Sequence, residues 1–264
     1  MEKSLAGQTA LVTGSTAGIG YAIVAALAKR GARVIVNGRT QARVDAALQT
    51  LRKSVADGSF DGIAADVGTA GGVQAIVSKE PAVDILINNA GIFAVQPFLE
   101  SRDEDWETFY RVNVLSGVRL SRAYLGGMLK RNRGRIVFIS SESGVQIPVE
   151  MIHYGMTKSA QISVARGLAQ MTAGTAVTVN SVLPGPTRSE GVATFVADFA
   201  AKQGVKPAEF EKQFFRTARP TSLLQRFIEP DEVAEVVAFV ASPAASAING
   251  AAVRAEGGVV LSAF

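Results

Sequence analysis

The sequence predicts a doubly wound α/β fold, a single domain built on a mostly seven-stranded parallel sheet. Three observations carry this. Seven short apolar runs rich in Val and Ile recur along the chain, segments with helical apolar spacing separate them, and a glycine cluster stands where the first run gives way to the first helix. With 264 residues, 48% of them hydrophobic, the chain can bury one large core and is short for two, so the domain is expected to span residues 1–264.

The elements follow in order. ALVTG at 10–14 reads as a buried strand, and AIVAALAKRG at 22–31 as the helix behind it. VIVNG at 34–38 and QARVDAALQTLRKS at 41–54 form the second such pair; FDGIAAD at 60–66 and VDILINNAG at 83–91 are the third and fourth strands. One helix is expected over 106–129, GRIVFISS at 134–141 is the fifth strand, and a helix is expected over 154–171. VTVNSVLPG at 177–185 is the sixth strand. PDEVAEVVAFVA at 230–241 opens with proline and two carboxylates, as a helix N-terminus prefers, and AAVRAEGG at 251–258 closes the sheet. The stretch 185–228 mixes short helical patterns with aromatics and charges. It is too long for a simple connection and is expected to cover something.

Composition removes several classes of function. The chain has no cysteine and one histidine, His153, so thiolate chemistry, a metal site and a Ser-His-Asp triad are not expected. No apolar run approaches the length of a membrane span, and no signal-peptide core precedes the first strand; a soluble, cytoplasmic protein is expected. The net charge of +4 has its densest run at Lys130, Arg131, Arg133 and Arg135, where a helix ends. No aromatic platform interleaves these cations, so a nucleic-acid partner is not expected.

The glycine cluster is TGSTAGIG, residues 13–20. At a strand–helix junction, Gly14 permits a tight turn, Gly18 admits a pyrophosphate close to the backbone, and Gly20 lets helix and strand pack closely. The helix N-terminus then offers free N–H groups to the phosphates. Further on, Tyr154 and Lys158 stand four apart and share a helix face, where an ammonium would favour phenolate. Tyr21, Tyr110 and Tyr124 have no lysine at that spacing.

Together TGSTAGIG, Asn88-Asn89-Ala90-Gly91, Asn113, the serine of FISSESG thirteen positions before Tyr154, YGMTK and LPGPT resemble the motif set of the short-chain dehydrogenase/reductase family. The resemblance spans nearly the whole chain, and it implies a Rossmann-like dinucleotide-binding domain and a catalytic tetrad of Asn113, Ser141, Tyr154 and Lys158. By this resemblance Tyr154 exchanges a proton with the substrate oxygen, Lys158 holds the nicotinamide ribose and depresses the phenol pKa, Ser141 bonds the reacting oxygen, and Asn113 holds a relay water. Ser141 is chosen over Ser140 by its separation from Tyr154. The implied cofactor contacts are Gly14, Ser15, Thr16, Gly18, Ile19 and Gly20, then Asp66 and Val67 near the adenine, Asn89, Ala90 and Gly91 along the ribose, and Pro184, Gly185 and Thr187 along the nicotinamide. Arg39, following a second strand that ends without a carboxylate, points to NADP(H) over NAD(H).

In this family 185–228 would be the substrate lid, with Phe195, Phe199, Phe210, Phe214 and Phe215 as an apolar wall, joined by Phe93, Val145, Ile147, Val149 and Met151. Arg188 and Arg216 leave an acidic substrate open. The partner expected is a small alcohol or carbonyl compound, and a homo-oligomer, dimer or tetramer, is implied. Two other readings stand beside the oxidoreductase: a dehydratase or epimerase on the same scaffold, and a non-catalytic dinucleotide-sensing module.

Overall fold

A computed structural model of the chain describes residues 3–263, and the side chains of Phe195, Phe199 and Gln203 lie outside the described atoms. The sheet consists of β1 (Thr9–Val12), β2 (Arg33–Gly38), β3 (Ser59–Ala64), β4 (Ile85–Asn88), β5 (Gly134–Ile139), β6 (Val177–Pro184) and β7 (Ala252–Ala255). All neighbours are parallel and the order is β3-β2-β1-β4-β5-β6-β7. The winding reverses between β1 and β4, and a crevice opens there beyond the carboxyl ends of the strands.

Strand alternation divides the core into two layers. Val12, Val34, Val36, Ile85 and Ile87 face α1 (Gly18–Lys29), α2 (Gln41–Ser54) and α9 (Pro230–Val240). Leu11, Ile35, Leu86, Ile136 and Phe138 face the other side, with α3 (Ala70–Lys79), α5 (Ser116–Lys130) and α6 (Ile152–Gln170). Burial on both faces explains why the strands read as unbroken apolar runs.

The single helix expected over 106–129 is two helices, α4 (Asp103–Tyr110) and α5, joined through a π-helical turn at Arg111–Leu115. One residue too many for the α-helical repeat leaves the apolar pattern almost unchanged, so the sequence hides it. The α3 helix is capped by the Thr69 side chain, which accepts from Gly72 N at 3.0 Å. Between β6 and α9 the chain forms α7 (Glu190–Gln203) and α8 (Pro207–Thr217), which with Phe227 bury their own small cluster of Val196, Ala200, Phe210 and Phe215. The three arginines of the basic run at 130–135 are bonded to their own fold: Arg133 pairs with Asp84 at 2.8 Å, and Arg131 and Arg135 donate to backbone carbonyls.

Asn37 holds the crevice side of the sheet together. It is 1% exposed, and its amide donates to the Ile63 and Ala65 carbonyls at 3.0 and 3.1 Å while its oxygen accepts from Gly14 N at 3.3 Å. Asn37→Ala strands those backbone groups in the interior, and a loss of about 2–4 kcal/mol is expected. Urea unfolding measures it; a loss under about 0.5 kcal/mol, the range of an ordinary surface substitution, contradicts this role.

Candidate active site

The turn from β1 into α1 is built around backbone that only glycine adopts readily. Gly14 and Gly18 have φ of +59° and +56°, and a Cβ on Gly14 would stand 2.9 Å from Ala90 Cα. A Cβ on Gly20 would stand 2.5 Å from Asn89 Nδ2 and 2.6 Å from the Gly14 carbonyl. Thr13 ties the turn to the next loop: its hydroxyl oxygen accepts from Asn89 N and Ala90 N, both at 3.0 Å. Asn89 Nδ2 returns to the Thr13 and Gly14 carbonyls at 2.9 and 3.0 Å. Ser15 is committed to the scaffold, since its hydroxyl donates to Val12 O at 2.7 Å and accepts from Asn37 N at 3.0 Å. Its own N–H bonds Asn37 O, so Ser15 braces the turn and has no backbone donor left for a phosphate. At the start of α1 the N-cap is Ala17, which has no oxygen to offer, so the first N–H groups of the helix at Gly18, Ile19 and Gly20 receive no side-chain cap.

On the β2 side the strand ends at Gly38. A Cβ there would stand 2.5 Å from Thr16 Cγ2 and 3.3 Å from Val44 Cγ2. Arg39 follows, exposed, and among the described residues no carboxylate pairs with it. Asp66 lies two residues beyond β3, exposed, with its carboxylate accepting from Gly68 N at 2.9 Å, and Val67 packs in the core.

Four residues that the sequence separates by up to 45 positions converge past the carboxyl ends of β4 and β5. Ser141 follows β5, and its hydroxyl donates to Glu142 through a short bond while accepting from Ser143 N at 3.1 Å. Ser140 instead donates to the Lys158 carbonyl at 2.8 Å, tying β5 to α6. Tyr154 and Lys158 lie one turn apart on α6, with Lys158 Nζ 5.5 Å from the phenol ring centre. Asn113 sits in the π-helical turn, fully buried. Its oxygen accepts from Ile92 N at 2.8 Å, and its amide donates to Ile92 O and Thr157 Oγ1, both at 3.0 Å. Gly91 closes the group, since a Cβ there would lie 3.4 Å from Asn113 Oδ1 and 3.6 Å from Lys158 Nζ.

Electrostatics in this cluster differ from the expectation in one respect. Burial and the Glu142 carboxylate push the Tyr154 phenol above its ordinary value, and Ser141 and Arg219 draw it back only in part. In the chain alone, desolvation therefore outweighs the pull expected of Lys158. Lys158 is itself lowered to about 8 by burial, with Glu142 opposing.

The segment after β6 lies over this cleft. The N-cap of α7, Ser189, packs on Gly18, where a Cβ would come within 3.2 Å of Ser189 Cβ, and a Cβ on Gly191 would stand 3.3 Å from a Phe93 ring carbon. Phe93 meets Tyr154 edge to face at 6.5 Å. Pro184 ends β6; a Cβ on Gly185 would collide with the Glu256 backbone, and Thr187, buried, donates its hydroxyl to Gly185 O at 2.8 Å. The expected aromatic wall is corrected in part. Phe210, Phe214 and Phe215 pack with Phe227 in the segment's own cluster, and the side chains of Phe195 and Phe199 lie outside the described atoms. Phe93, Val145, Ile147 and Val149 are exposed and Met151 is half-buried. Arg188 is committed to Glu211 and Glu229 at 2.8 and 3.0 Å. His153 packs against Phe109 and Trp106, away from the tetrad chemistry, and burial lowers its pKa.

Three residues that sequence reasoning passed over belong to the site. Glu142 is buried beside Ser141, and Arg219, from the loop after α8, bonds Glu142 and Glu150 at 3.2 Å each. Gln161, also buried, bonds both Lys158 and the Asn113 carbonyl. Gln161 had a signal, the stripe of Tyr154, Lys158 and Gln161 at i, i+4, i+7; the Glu142–Arg219 pair, 77 positions apart, had none.

The family model described as short chain dehydrogenase matches residues 8–199. The chain is 45% identical over 264 residues to the uncharacterized oxidoreductase YvaG of Bacillus subtilis, covering 100% of both chains. It is 32% identical over 260 residues to the D-beta-hydroxybutyrate dehydrogenase of Cupriavidus necator, covering 97% of this chain and 99% of that one. Among solved structures, L-sorbose reductase from Gluconobacter frateurii, complexed with NADPH and L-sorbose, superposes with a TM-score of 0.92 at 28% identity, covering 99% of this chain and 100% of that one.

The lowered pKa of Lys158 sets a stability signature. Between about 8 and the ordinary 10.5 the folded chain leaves the amine neutral while the unfolded chain keeps it protonated, so unfolding takes up a proton and stability rises with pH across that window. Lys158→Met removes this contribution. Urea midpoints at the two ends of the window should show wild type gaining on the variant as pH rises; parallel behaviour contradicts a buried, depressed amine.

Proposed function

Because the chain belongs to the short chain dehydrogenase family and is an oxidoreductase of that family, we propose that it transfers a hydride between NADP(H) and a small alcohol or carbonyl compound, with Tyr154 as general acid and base. The observation that carries this reading is the convergence of Tyr154, Ser141, Lys158 and Asn113 on one cleft beside an uncapped helix N-terminus. A dinucleotide fits what is there. The bare N–H groups at Gly18, Ile19 and Gly20 and the positive end of α1 suit a pyrophosphate. Asn89, Ala90 and Gly91 hold the wall opposite, and Lys158, which bonds two partners among the described residues, keeps one N–H for the ribose hydroxyls. Asp66 and Val67 would bound the adenine; Pro184, Gly185 and Thr187 would bound the nicotinamide. The cofactor, when bound, supplies or takes the hydride.

The residues of the chain do the rest. In reduction, hydride arrival leaves charge on the substrate oxygen, and Tyr154, held protonated by its surroundings, donates to it. In oxidation the Tyr154 phenolate oxygen takes the proton back from the substrate hydroxyl. Ser141 orients the reacting oxygen, with its own proton shared toward Glu142. NADP(H) is favoured over NAD(H) because Thr16 fills the space of a carboxylate at position 38, while Arg39 is free to meet a 2′-phosphate.

The substrate is read as neutral. Glu142 and Glu150 are matched by Arg219 and Lys158, and Arg188 is already paired with Glu211 and Glu229, so these cations hold no surplus charge for an anion. The segment 185–228 acts as its lid. A homo-oligomer, dimer or tetramer, follows the family resemblance and suits the exposed Leu223, Leu224 and Leu261 near the C-terminus.

Tyr154→Phe tests the reading against a panel of ketoses, sugar alcohols and small ketones with NADPH. Turnover is expected to fall about a hundredfold or more while NADPH affinity holds within about threefold. A variant that keeps full activity would remove Tyr154 from the chemistry.

A further inference from the structure

Gln161 occupies an unusual place for a core amide. It lies on α6, 1% exposed, one residue short of a turn beyond Lys158. Its oxygen accepts from Lys158 Nζ at 3.2 Å, and its nitrogen donates to the Asn113 carbonyl at 2.6 Å. That carbonyl belongs to the π-helical turn, where the extra residue disturbs the i→i−4 ladder. Lys158 Nζ donates also to Ile139 O at 2.9 Å. The family resemblance puts a relay water on Asn113, yet here a side chain already joins that residue's carbonyl to the lysine.

We propose that Gln161 is a positioning residue for Lys158, its amide standing in for a water between the ammonium and the Asn113 carbonyl. The inference rests on the oxidoreductase reading for its use, though not for its geometry. A water accepts and donates along interchangeable directions and can hand a proton on. A primary amide accepts only at oxygen and donates only at nitrogen, so it fixes the lysine without conducting. The amide and the Ile139 carbonyl engage two of the three ammonium N–H bonds, and the third is left to face the cofactor ribose. Lys158 thereby acts as a held cation and not as a link in a proton wire through Asn113; Tyr154, once it has given its proton to the substrate, regains one from water entering the cleft on product release. The charged and titratable groups facing Lys158 are Glu142 from the turn after β5 and Tyr154 from α6 itself; Asn113 and Ile139 bring uncharged carbonyl and amide groups.

The test reads Lys158 directly, by NMR titration of lysine labelled at Cε in the cofactor-free protein, assigned with Lys158→Met. Gln161→Met removes the acceptor at similar volume and should lower the Lys158 midpoint by about one unit, whereas Gln161→Glu should raise it by about as much. Midpoints that stay within a few tenths of wild type in both folded variants, with only thermal stability reduced, would make Gln161 a space-filling core residue and overturn the inference. Fluorescence titration with NADPH gives the second readout: Gln161→Met should bind about tenfold more weakly, because a lysine no longer held in place loses its charged hydrogen bond to the ribose, and unchanged affinity in a folded variant would also count against it. Wild type that binds neither NADPH nor NADH, while the lysine midpoints move as stated, would fall on the cofactor reading and leave the positioning role standing.

Discussion

The cleft exists because a parallel sheet reverses its winding between β1 and β4, which leaves two adjacent strand ends whose following chain departs to opposite faces. That gap would be a weakness were its rims not tied together. Thr13 and Asn89 exchange bonds across it, and Asn37 pins the glycine turn to the strand on its other side. Thr13 and Asn37 are buried and Asn89 is half-buried, and their bonds hold the turn in one conformation, so the glycines are free to be chosen for backbone geometry alone. The uncapped start of α1 faces into the space these bonds keep open.

A second tie lies on the far side of the cleft. The π-helical turn at Arg111–Leu115 buries Asn113 between the β4 loop and α6, with bonds to Ile92, Thr157 and Gln161. Lys158 and Tyr154 therefore stand on a helix anchored from two directions. Two buried charges, Lys158 and Glu142, sit within this frame, and Arg219 joins Glu142 to the segment that covers the site. A pair so enclosed is costly to form and more costly to break, which makes the seat of Arg219 a defined position rather than a surface preference.

Much of this was legible in the sequence, and the limit has a physical form. Backbone constraints are local, so Gly14, Gly18 and Gly20 announced the turn, and strands buried on both faces announced the parallel sheet. Tyr154 and Lys158 were legible because helical spacing put them together. What stayed hidden was the polar scaffolding: Asn37, Thr13 and Glu142 take partners 22 to 77 residues away, and nothing in their neighbours marks them as buried. The π-helical turn was hidden because one extra residue hardly disturbs an apolar pattern. The aromatics of 185–228 were hidden for a related cause, since periodic phenylalanines mark an apolar face without saying whether it meets a substrate or, as with Phe210 and Phe215, its own helix pair.

The central claim is that the glycine turn, Arg39 and Lys158 form one dinucleotide site with a place for a 2′-phosphate. Parallel fluorescence titrations of the purified protein with NADPH and NADH address it most directly. Binding of NADPH at least tenfold tighter than NADH, about 1.4 kcal/mol, is the predicted result. Equal affinity or a preference for NADH would contradict the role given to Arg39 and Gly38, and a folded protein that binds neither would contradict the site itself.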